Sequence, residues 1–137
     1  MKSKFYTIVT LSGLIQLYSS GIYASTAIDT MFNSYKEQKV TEFDAKVGQQ
    51  LWNQNFTSNK AGQSRSCASC HTSDPAIAGK HAKTGKLIKP MAPSINTERL
   101  TDVKQMQKWF SRNCKWTMGR ECSPQEQGDV LMYLKNL

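Results

Sequence analysis

The sequence predicts an all-α fold, and three observations support that prediction. Apolar residues recur at helical spacing in several separate segments of the chain. The last of these segments opens with Ser123, Pro124 and Glu126, which suit the N-cap, the first turn and the capping-box position of a helix. Between the helical segments the chain is rich in glycine, proline and small polar residues, a composition typical of loops.

The first two dozen residues have the pattern of a secretory signal. Two lysines precede an apolar run from Phe5 to Leu17, and small residues follow up to Ala24. This run is shorter than the roughly 20 apolar residues that a membrane-spanning helix needs. We therefore expect residues 1–24 to be a signal peptide, cleaved after Ala24 or alternatively after Ala27, and the mature protein to be periplasmic.

The mature chain divides into a lead-in helix, residues 25–40, and one domain, residues 41–137. Apolar residues at helical spacing predict the lead-in helix: Ile28, Met31, Phe32 and Tyr35. A second helix is predicted to begin near Thr41, with the apolar stripe Phe43, Val47, Leu51 and Trp52. Gly48 in its interior costs about 1 kcal/mol relative to alanine, so we expect another helix to approach closely there.

The motif CASCH, from Cys67 to His71, predicts a covalently attached c-type haem. The two thiols of such a motif bond to the porphyrin, and the adjacent histidine binds the iron. A redox dithiol would need a strand and helix context, and a zinc site would need a second close cysteine pair. We therefore expect one haem c, held by Cys67, Cys70 and His71, with the helices packed around it.

The region after the motif contains proline, glycine and several lysines, and it predicts a loop that wraps one haem edge. We expect Leu87, Ile88 and Met91 to turn inward from this loop. A middle helix is predicted from Asp102 to Phe110. The closing helix, after Ser123, has an apolar stripe at helical spacing: Val130, Leu131, Tyr133, Leu134 and Leu137.

The formal net charge is +8, and it falls to +6 when Lys2 and Lys4 are removed with the signal. A basic surface suits nucleic acid, an anionic membrane or an acidic protein. Because an exported protein rarely meets nucleic acid, we expect an acidic redox partner, attracted by the lysines of the wrapping loop. Cys114 and Cys122 remain after haem attachment, and in an oxidising compartment they are expected to form a disulfide.

The sixth iron ligand is left open by the residues alone. Met106 lies on the apolar stripe of the middle helix and is expected to be core, and His81 in its lysine-rich loop is expected to be solvated. Met91 and Met118 are the methionine candidates, and a permanent methionine ligand would indicate an ordinary electron carrier. Asn113 is a further candidate, whose alternative role is a helix C-terminal cap.

From Cys67 onward the chain resembles the sphaeroides haem protein family, small c-type haem proteins related to class I cytochromes c. The matching segments are CASCH, AGKHAKTGKLIKPMAPS, RLTDVKQMQKWFSRNC and GRECSPQEQGDVLMYL. The resemblance implies a cytochrome c-like fold and a distal asparagine ligand, Asn113, immediately before a Cys114–Cys122 disulfide. It also implies high-spin iron and an asparagine that leaves on reduction, so that oxygen or nitric oxide can bind.

The resemblance further implies a di-haem c-type cytochrome or a membrane cytochrome b as redox partner. Two other hypotheses stay open: an electron carrier with a permanent Met91 or Met118 ligand, and a redox sensor in which reduction of the disulfide alters ligation. No acid and base pair in the sequence identifies a reaction, so enzymatic chemistry on a small nitrogen or oxygen species remains unassigned.

Overall fold

The computed structural model describes residues 21–57 and 62–137. Five helices lie in these ranges: α1 (Gly21–Glu37), α2 (Ala45–Asn53), α3 (Ala68–His71), α4 (Val103–Met118) and α5 (Pro124–Lys135). Two antiparallel ladders of two-residue strands complete the described part: β1 (Phe56–Thr57) with β2 (Ser64–Arg65), and β3 (Gly79–Lys80) with β4 (Leu87–Ile88). The all-α prediction is confirmed, with only these short ladders added.

The predicted signal peptide lies mostly in residues 1–20, outside the described residues, and stays a prediction. Helix α1 begins at Gly21 and ends at Glu37, so it overlaps the predicted lead-in helix of residues 25–40. In the described ranges of the chain, no helix is long and apolar enough to cross a membrane.

Helix α2 begins at Ala45, and the predicted start near Thr41 is wrong. The Asp44 carboxylate accepts hydrogen bonds from the backbone N–H groups of Lys46 and Val47, at 2.7 and 3.2 Å, and thereby caps the helix. Phe43 consequently lies before the helix, where its ring stacks on Phe32 of α1 with centroids 4.5 Å apart. Val47, predicted on the apolar stripe, is 44% exposed.

Helices α2 and α5 cross at Gly48, as the sequence predicts. A Cβ atom on Gly48 would lie only 2.0 Å from the backbone carbonyl oxygen of Asp129, so no larger residue fits without backbone movement. Helix α1 packs on α4 and α5, and the core lies where these elements meet. Its most buried side chains include Ile28, Met31, Trp52, Leu131 and Leu134.

Helix α4 is longer than predicted, because it runs on from Phe110 to Met118. Asp102 caps its start by accepting a hydrogen bond from the backbone N–H of Gln105 at 2.9 Å. Gly119, with a left-handed φ of 75°, ends it. Asn113 therefore lies inside the helix and is neither its cap nor part of a loop.

The predicted start of α5 is confirmed in detail. The hydroxyl of Ser123 accepts a hydrogen bond from the backbone N–H of Glu126, and the Glu126 carboxylate accepts one from the backbone N–H of Ser123. Arg120 binds both oxygens of the same carboxylate at 2.6 and 2.7 Å. Helix α5 thus has a fixed beginning only two residues after Cys122.

Candidate haem site

The CASCH motif forms a single helical turn, α3, stabilised by its own serines. The backbone N–H of Ser66 donates to the Ser69 hydroxyl at 2.9 Å, and the backbone N–H of Ser69 donates to the Ser66 hydroxyl at 3.1 Å. Residues three apart in a helix lie on one side, so Cys67 and Cys70 project together. His71 follows at once, and its backbone N–H bonds to the Cys67 carbonyl.

The β3–β4 hairpin lies directly against this turn. A Cβ atom on Gly79 would be 2.0 Å from the carbonyl oxygen of Cys70, so only glycine allows the backbones to come this close. The backbone N–H of Ala82 lies 3.4 Å from the Cys70 sulfur. The region predicted as an irregular wrapping loop therefore contains an ordered hairpin that covers the motif.

The expected inward orientation of the loop residues holds for Ile88 and Met91, which are partly buried. It is wrong for Leu87, which is 70% exposed. Leu87 pairs with Lys80 across the ladder, while Ile88 pairs with the buried Gly79. Because neighbouring residues in a strand point to opposite faces, burying Ile88 turns Leu87 outward.

His71 has the protonation state of a metal ligand. Burial, together with the charge of Arg99, lowers the pKa of its imidazole to about 4. The ring is therefore neutral at neutral pH, and neutral imidazole is the form that binds metal. Its Nδ1 atom is buried and has no hydrogen-bond partner among the described residues.

The indole of Trp52 packs beside His71, with ring centroids 5.5 Å apart. Its N–H donates to the Thr72 carbonyl at 2.8 Å, which ties α2 to the end of the motif. Tyr133 of α5 contacts the other side of Trp52, edge to face at 6.2 Å. Trp52 of α2 thus contacts the histidine, and Tyr133 of α5 supports Trp52 from behind.

The two cysteines of the motif are partly buried and not joined in a disulfide. Burial raises the pKa of the Cys67 thiol to about 11, whereas a redox-active dithiol needs a thiolate with a lowered pKa. Two thiols one turn apart, beside a neutral imidazole, fit covalent attachment of haem c. Cys67 and Cys70 would hold the porphyrin, and His71 would bind its iron.

Helix α4 presents two different faces. Met106, Cys114 and Thr117 are buried in the interior, which confirms that Met106 is a core residue. Trp109, Asn113 and Trp116 follow one another at spacings of four and three residues, so they share one face of the helix. Asn113 is exposed and Trp109 is 47% exposed on this outer face.

Trp116 connects the outer face of α4 to both sides of the haem motif. The Arg65 guanidinium lies 4.2 Å above its ring and also donates to its backbone carbonyl at 3.3 Å. The His81 ring lies 6.5 Å away on the hairpin. We call Arg65, Trp116 and His81 the Trp116 clamp. Asn113 lies about one helical turn before Trp116 on α4 and is therefore close to this clamp.

His81 belongs to this clamp and is half-buried, contrary to the expectation of a solvated side chain. Its Nδ1 accepts hydrogen bonds from the backbone N–H groups of Lys83 and Thr84, at 3.3 and 3.1 Å. The sequence gives no signal for the clamp, because its members are far apart along the chain. Only the aromatic content of the KWFSRNCKW segment hints at a ring in this position.

The predicted disulfide is present between Cys114 and Cys122, with sulfur atoms 1.98 Å apart. It joins the buried face of α4 to the segment just before α5. The Met118 sulfur packs against it, 3.5 Å from the Cys122 sulfur. Met118 and Met91 are partly buried against the core, and the Met91 backbone N–H donates to the Pro75 carbonyl at 2.8 Å.

Comparisons with known proteins identify the family. The family described as a domain of unknown function, DUF1924, matches residues 38–134. Cytochrome c'' of Methylophilus methylotrophus is 40% identical over 100 residues, which cover 73% of this chain and 65% of that protein. The cytochrome c-type protein SHP of Cereibacter sphaeroides is 41% identical over 91 residues, covering 66% and 69%. The chain thus spans just under two thirds of cytochrome c''.

Solved structures agree with these relatives. Oxidised cytochrome c'' from Methylophilus methylotrophus superposes with a TM-score of 0.70 at 32% identity, over 84% of this chain and 94% of the other. Oxidised SHP superposes with a TM-score of 0.73 at 34% identity, over 80% and 96%. The predicted cytochrome fold, haem c cofactor and resemblance to the sphaeroides haem protein family are confirmed, so the protein is a monohaem c-type cytochrome. The chain belongs to the DUF1924 family.

Proposed function

We propose that this cytochrome is an exported, periplasmic protein with a displaceable ligand on one side of its iron. Cys67 and Cys70 attach the haem, His71 is the permanent ligand, and Asn113 binds the ferric iron from the other side. On reduction Asn113 leaves, and oxygen or nitric oxide binds in its place. The haem would supply the redox-active iron and its coordination position. The contacts of the protein would determine how readily Asn113 dissociates from that position.

One observation carries the assignment of Asn113. The outer face of α4, which contains Trp109, Asn113 and Trp116, is joined through the Trp116 clamp to residues on both sides of CASCH. Met106 is buried in the core, and Met118 packs on the disulfide. Asn113 shares a helix face with Trp116, which reaches the motif, and its side chain is not part of the core.

The chemistry of the side chain supports the same assignment. An amide oxygen is a hard, neutral and weak ligand, which suits ferric iron better than the softer ferrous iron. Reduction therefore weakens this bond more than it weakens the bond to His71. Because α4 is fixed by the disulfide and by the clamp, Asn113 can detach by a side-chain rotation while the helix stays in place.

Two relatives support ligand exchange. The SHP structure is described as that of an oxygen-binding cytochrome c. A solution structure of cytochrome c'', with a TM-score of 0.68, is described as giving insight into haem-ligand detachment. A compartment that favours disulfides also suits the Cys114–Cys122 bond, which supports the periplasmic assignment.

The proposed partner is a cytochrome with an acidic surface, either a di-haem c-type cytochrome or a membrane cytochrome b. The hairpin next to the motif presents exposed lysines, and no acidic residue occurs between Asp74 and Glu98. Lys89 pairs with Glu98 at 3.4 Å, but both side chains are over 70% exposed, and such pairs are weak. The electron-transfer rate should fall as ionic strength rises.

The test is the ferric absorption and electron paramagnetic resonance spectra of the wild type and of Asn113→Ala. We expect Asn113→Ala to alter the ferric axial ligation while Met91→Leu and Met118→Leu leave it unchanged. A methionine-to-iron charge-transfer band that disappears in either methionine variant would contradict the proposal and establish the ordinary electron carrier.

A further inference from the structure

A chain of aromatic rings runs from the histidine of the motif toward the protein surface. The indole of Trp52 lies 5.5 Å from the His71 ring, and the phenol ring of Tyr133 lies 6.2 Å from the indole. Both are almost fully buried, at 3% and 7% exposure. Phenylalanine would be sufficient to fill these buried positions. Tryptophan and tyrosine differ from phenylalanine because their side chains are readily oxidised.

We propose that Trp52 and Tyr133 form an electron relay that carries oxidising equivalents away from the haem when it reacts with hydrogen peroxide. A haem that binds oxygen at an open ferrous position is exposed to this oxidant. The proposal rests on attachment of the haem at His71 and on an open distal position, which are parts of the proposed function. It adds a role that neither ligand binding nor electron transfer to a partner requires.

Trp52 is suited to pass an electron while keeping its proton. Its N–H donates to the Thr72 carbonyl at 2.8 Å, and this hydrogen bond to an oxygen stabilises the indole when it becomes positively charged. The indole is buried between the motif and α5, and water does not reach it to quench the oxidised state. Trp52 is therefore a transfer point, and the oxidising equivalent moves on.

Tyr133 is suited to be the end of the relay, since it must lose both an electron and a proton. Burial is the largest cause that raises the pKa of its hydroxyl; Gln49 is close enough to lower this pKa and Asp74 is close enough to raise it. Gln49 and Asp74 are both exposed. The phenolic proton therefore has a short route to water at the surface between α2 and the loop after the motif.

The electrons and atoms balance for a ferrous protein. Reduction of one hydrogen peroxide breaks its O–O bond and releases two waters, with uptake of two electrons and two protons. One electron comes from the iron, which becomes ferric, and one comes from Tyr133 by way of Trp52. The phenolic proton supplies one proton and solvent supplies the other, leaving a neutral tyrosyl radical on Tyr133.

The experiment mixes the ferrous holoprotein with hydrogen peroxide and measures three quantities. Stopped-flow absorbance gives the rate of iron oxidation, freeze-quench electron paramagnetic resonance gives the tyrosyl yield per iron oxidised, and haem absorbance over repeated additions gives the rate of haem loss. The variants are Tyr133→Phe and Trp52→Phe, which keep an aromatic ring. Tyr35→Phe is the matched control, because Tyr35 is equally buried but lies on α1 and bonds to Gln127.

We expect Tyr133→Phe to lose most of the tyrosyl signal and to lose haem several-fold faster, with an unchanged rate of iron oxidation. Trp52→Phe should lower the tyrosyl yield, and Tyr35→Phe should behave as the wild type. Normal iron oxidation with the same tyrosyl yield in Tyr133→Phe and Tyr35→Phe would overturn the relay alone. Failure of peroxide to oxidise the iron would overturn the open distal position and, with it, the relay.

Discussion

The two sides of the haem site are built in opposite ways. On the side of His71, α2 and α5 touch through their backbones at Gly48, and Trp52 and Tyr133 fill the space behind the histidine. On the side of Asn113, α4 packs on the core through Met106 and Thr117, and its exposed face is joined to the surroundings of the motif by the Trp116 clamp. The histidine side is densely packed, whereas Asn113, the proposed second ligand, lies at an exposed position.

Under the proposed function, this difference would let the protein release Asn113 from the iron while it keeps its fold. The core contains His71's neighbours, so movement of His71 would disturb many buried contacts. The Asn113 side chain is not part of the core, although the buried Met106 and Thr117 lie two turns before it and one turn after it on α4. The predictions below compare the two sides, from the largest expected effect on stability to the smallest.

Gly48→Ala should be the most damaging single change. The added Cβ would lie 2.0 Å from the Asp129 carbonyl oxygen, so α2 and α5 must separate. We expect the free energy of unfolding to fall by about 3 kcal/mol, at the upper end for overpacking, as measured by urea denaturation. Val47→Ala, in the same helix but largely exposed, is the control and should cost less than about 0.5 kcal/mol. Equal losses in both variants would contradict the close crossing.

Removal of the disulfide should destabilise the protein but leave the histidine side intact. Replacing Cys114 and Cys122 by serine should lower the free energy of unfolding by about 2 to 3 kcal/mol, because the unfolded chain loses its cross-link. We expect weaker ferric ligation by Asn113 and an unchanged bond to His71, read from the ferric and ferrous spectra.

The same bond also tests the redox-sensor hypothesis. Selective reduction of Cys114–Cys122 in the wild type leaves the side chains unchanged apart from the bond itself. If the haem spectra and the affinity for nitric oxide do not change on reduction, the disulfide is a structural link only and the sensor hypothesis fails.

Loss of the Trp116 clamp should affect the asparagine side alone. Trp116→Leu removes the ring under Arg65, an interaction of about 1 kcal/mol, and should shift the ferric spectrum toward that of Asn113→Ala. Arg112→Gln is the matched control, because Arg112 lies 5.3 Å from the Trp109 ring on the same helix without reaching the motif. A ferric spectrum that responds to both changes equally would argue against a specific role for the clamp.

The smallest effect is expected at the Arg120–Glu126 pair, between the disulfide and α5. The hydrogen bond from Arg120 is the largest cause that lowers the pKa of the Glu126 carboxyl below its ordinary value of 4.5. Because this pKa is lowered in the folded state, the pair stabilises the protein fully at pH values above the ordinary pKa of 4.5. The contribution is lost as the pH falls through the lowered pKa of the folded state.

Unfolding measured from pH 7 to pH 3 should therefore show Arg120→Gln less stable than the wild type near neutrality, by no more than about 1 kcal/mol for so exposed a pair. The two curves should converge in acid. If the difference in the free energy of unfolding between the wild type and Arg120→Gln grew as the pH fell, the predicted direction of the pH dependence would be wrong.

Local signals account for what the sequence predicts well. The CASCH motif and the capping box of α5 each lie within a few residues. The capping box forms as predicted, and the haem c that CASCH predicts is supported by the cytochrome relatives. The end of α4 was missed because Ser111, Arg112 and Asn113 are polar, although Cys114 and Thr117 continue its buried spacing. The apolar stripe alone does not mark the start of α2, because Phe43 belongs to the spacing of the stripe but precedes the Asp44 cap.

Contacts between distant parts of the chain could not be predicted from such signals. Arg65, His81 and Trp116 meet only because the hairpin and α4 converge on the motif. The contact of Trp52 with His71 and Tyr133 depends in the same way on the crossing of α2 and α5. The spacing of the motif predicts the chemistry of the haem, whereas these long-range contacts determine how each ligand is held.

Stopped-flow mixing of the ferrous protein with carbon monoxide tests the difference between the two sides most directly. If Asn113 has left the reduced iron, the rate should rise in proportion to the carbon monoxide concentration, and Asn113→Ala should change it little. A low-spin ferrous protein whose rate reaches a plateau, set by slow departure of a bound side chain, would contradict the account.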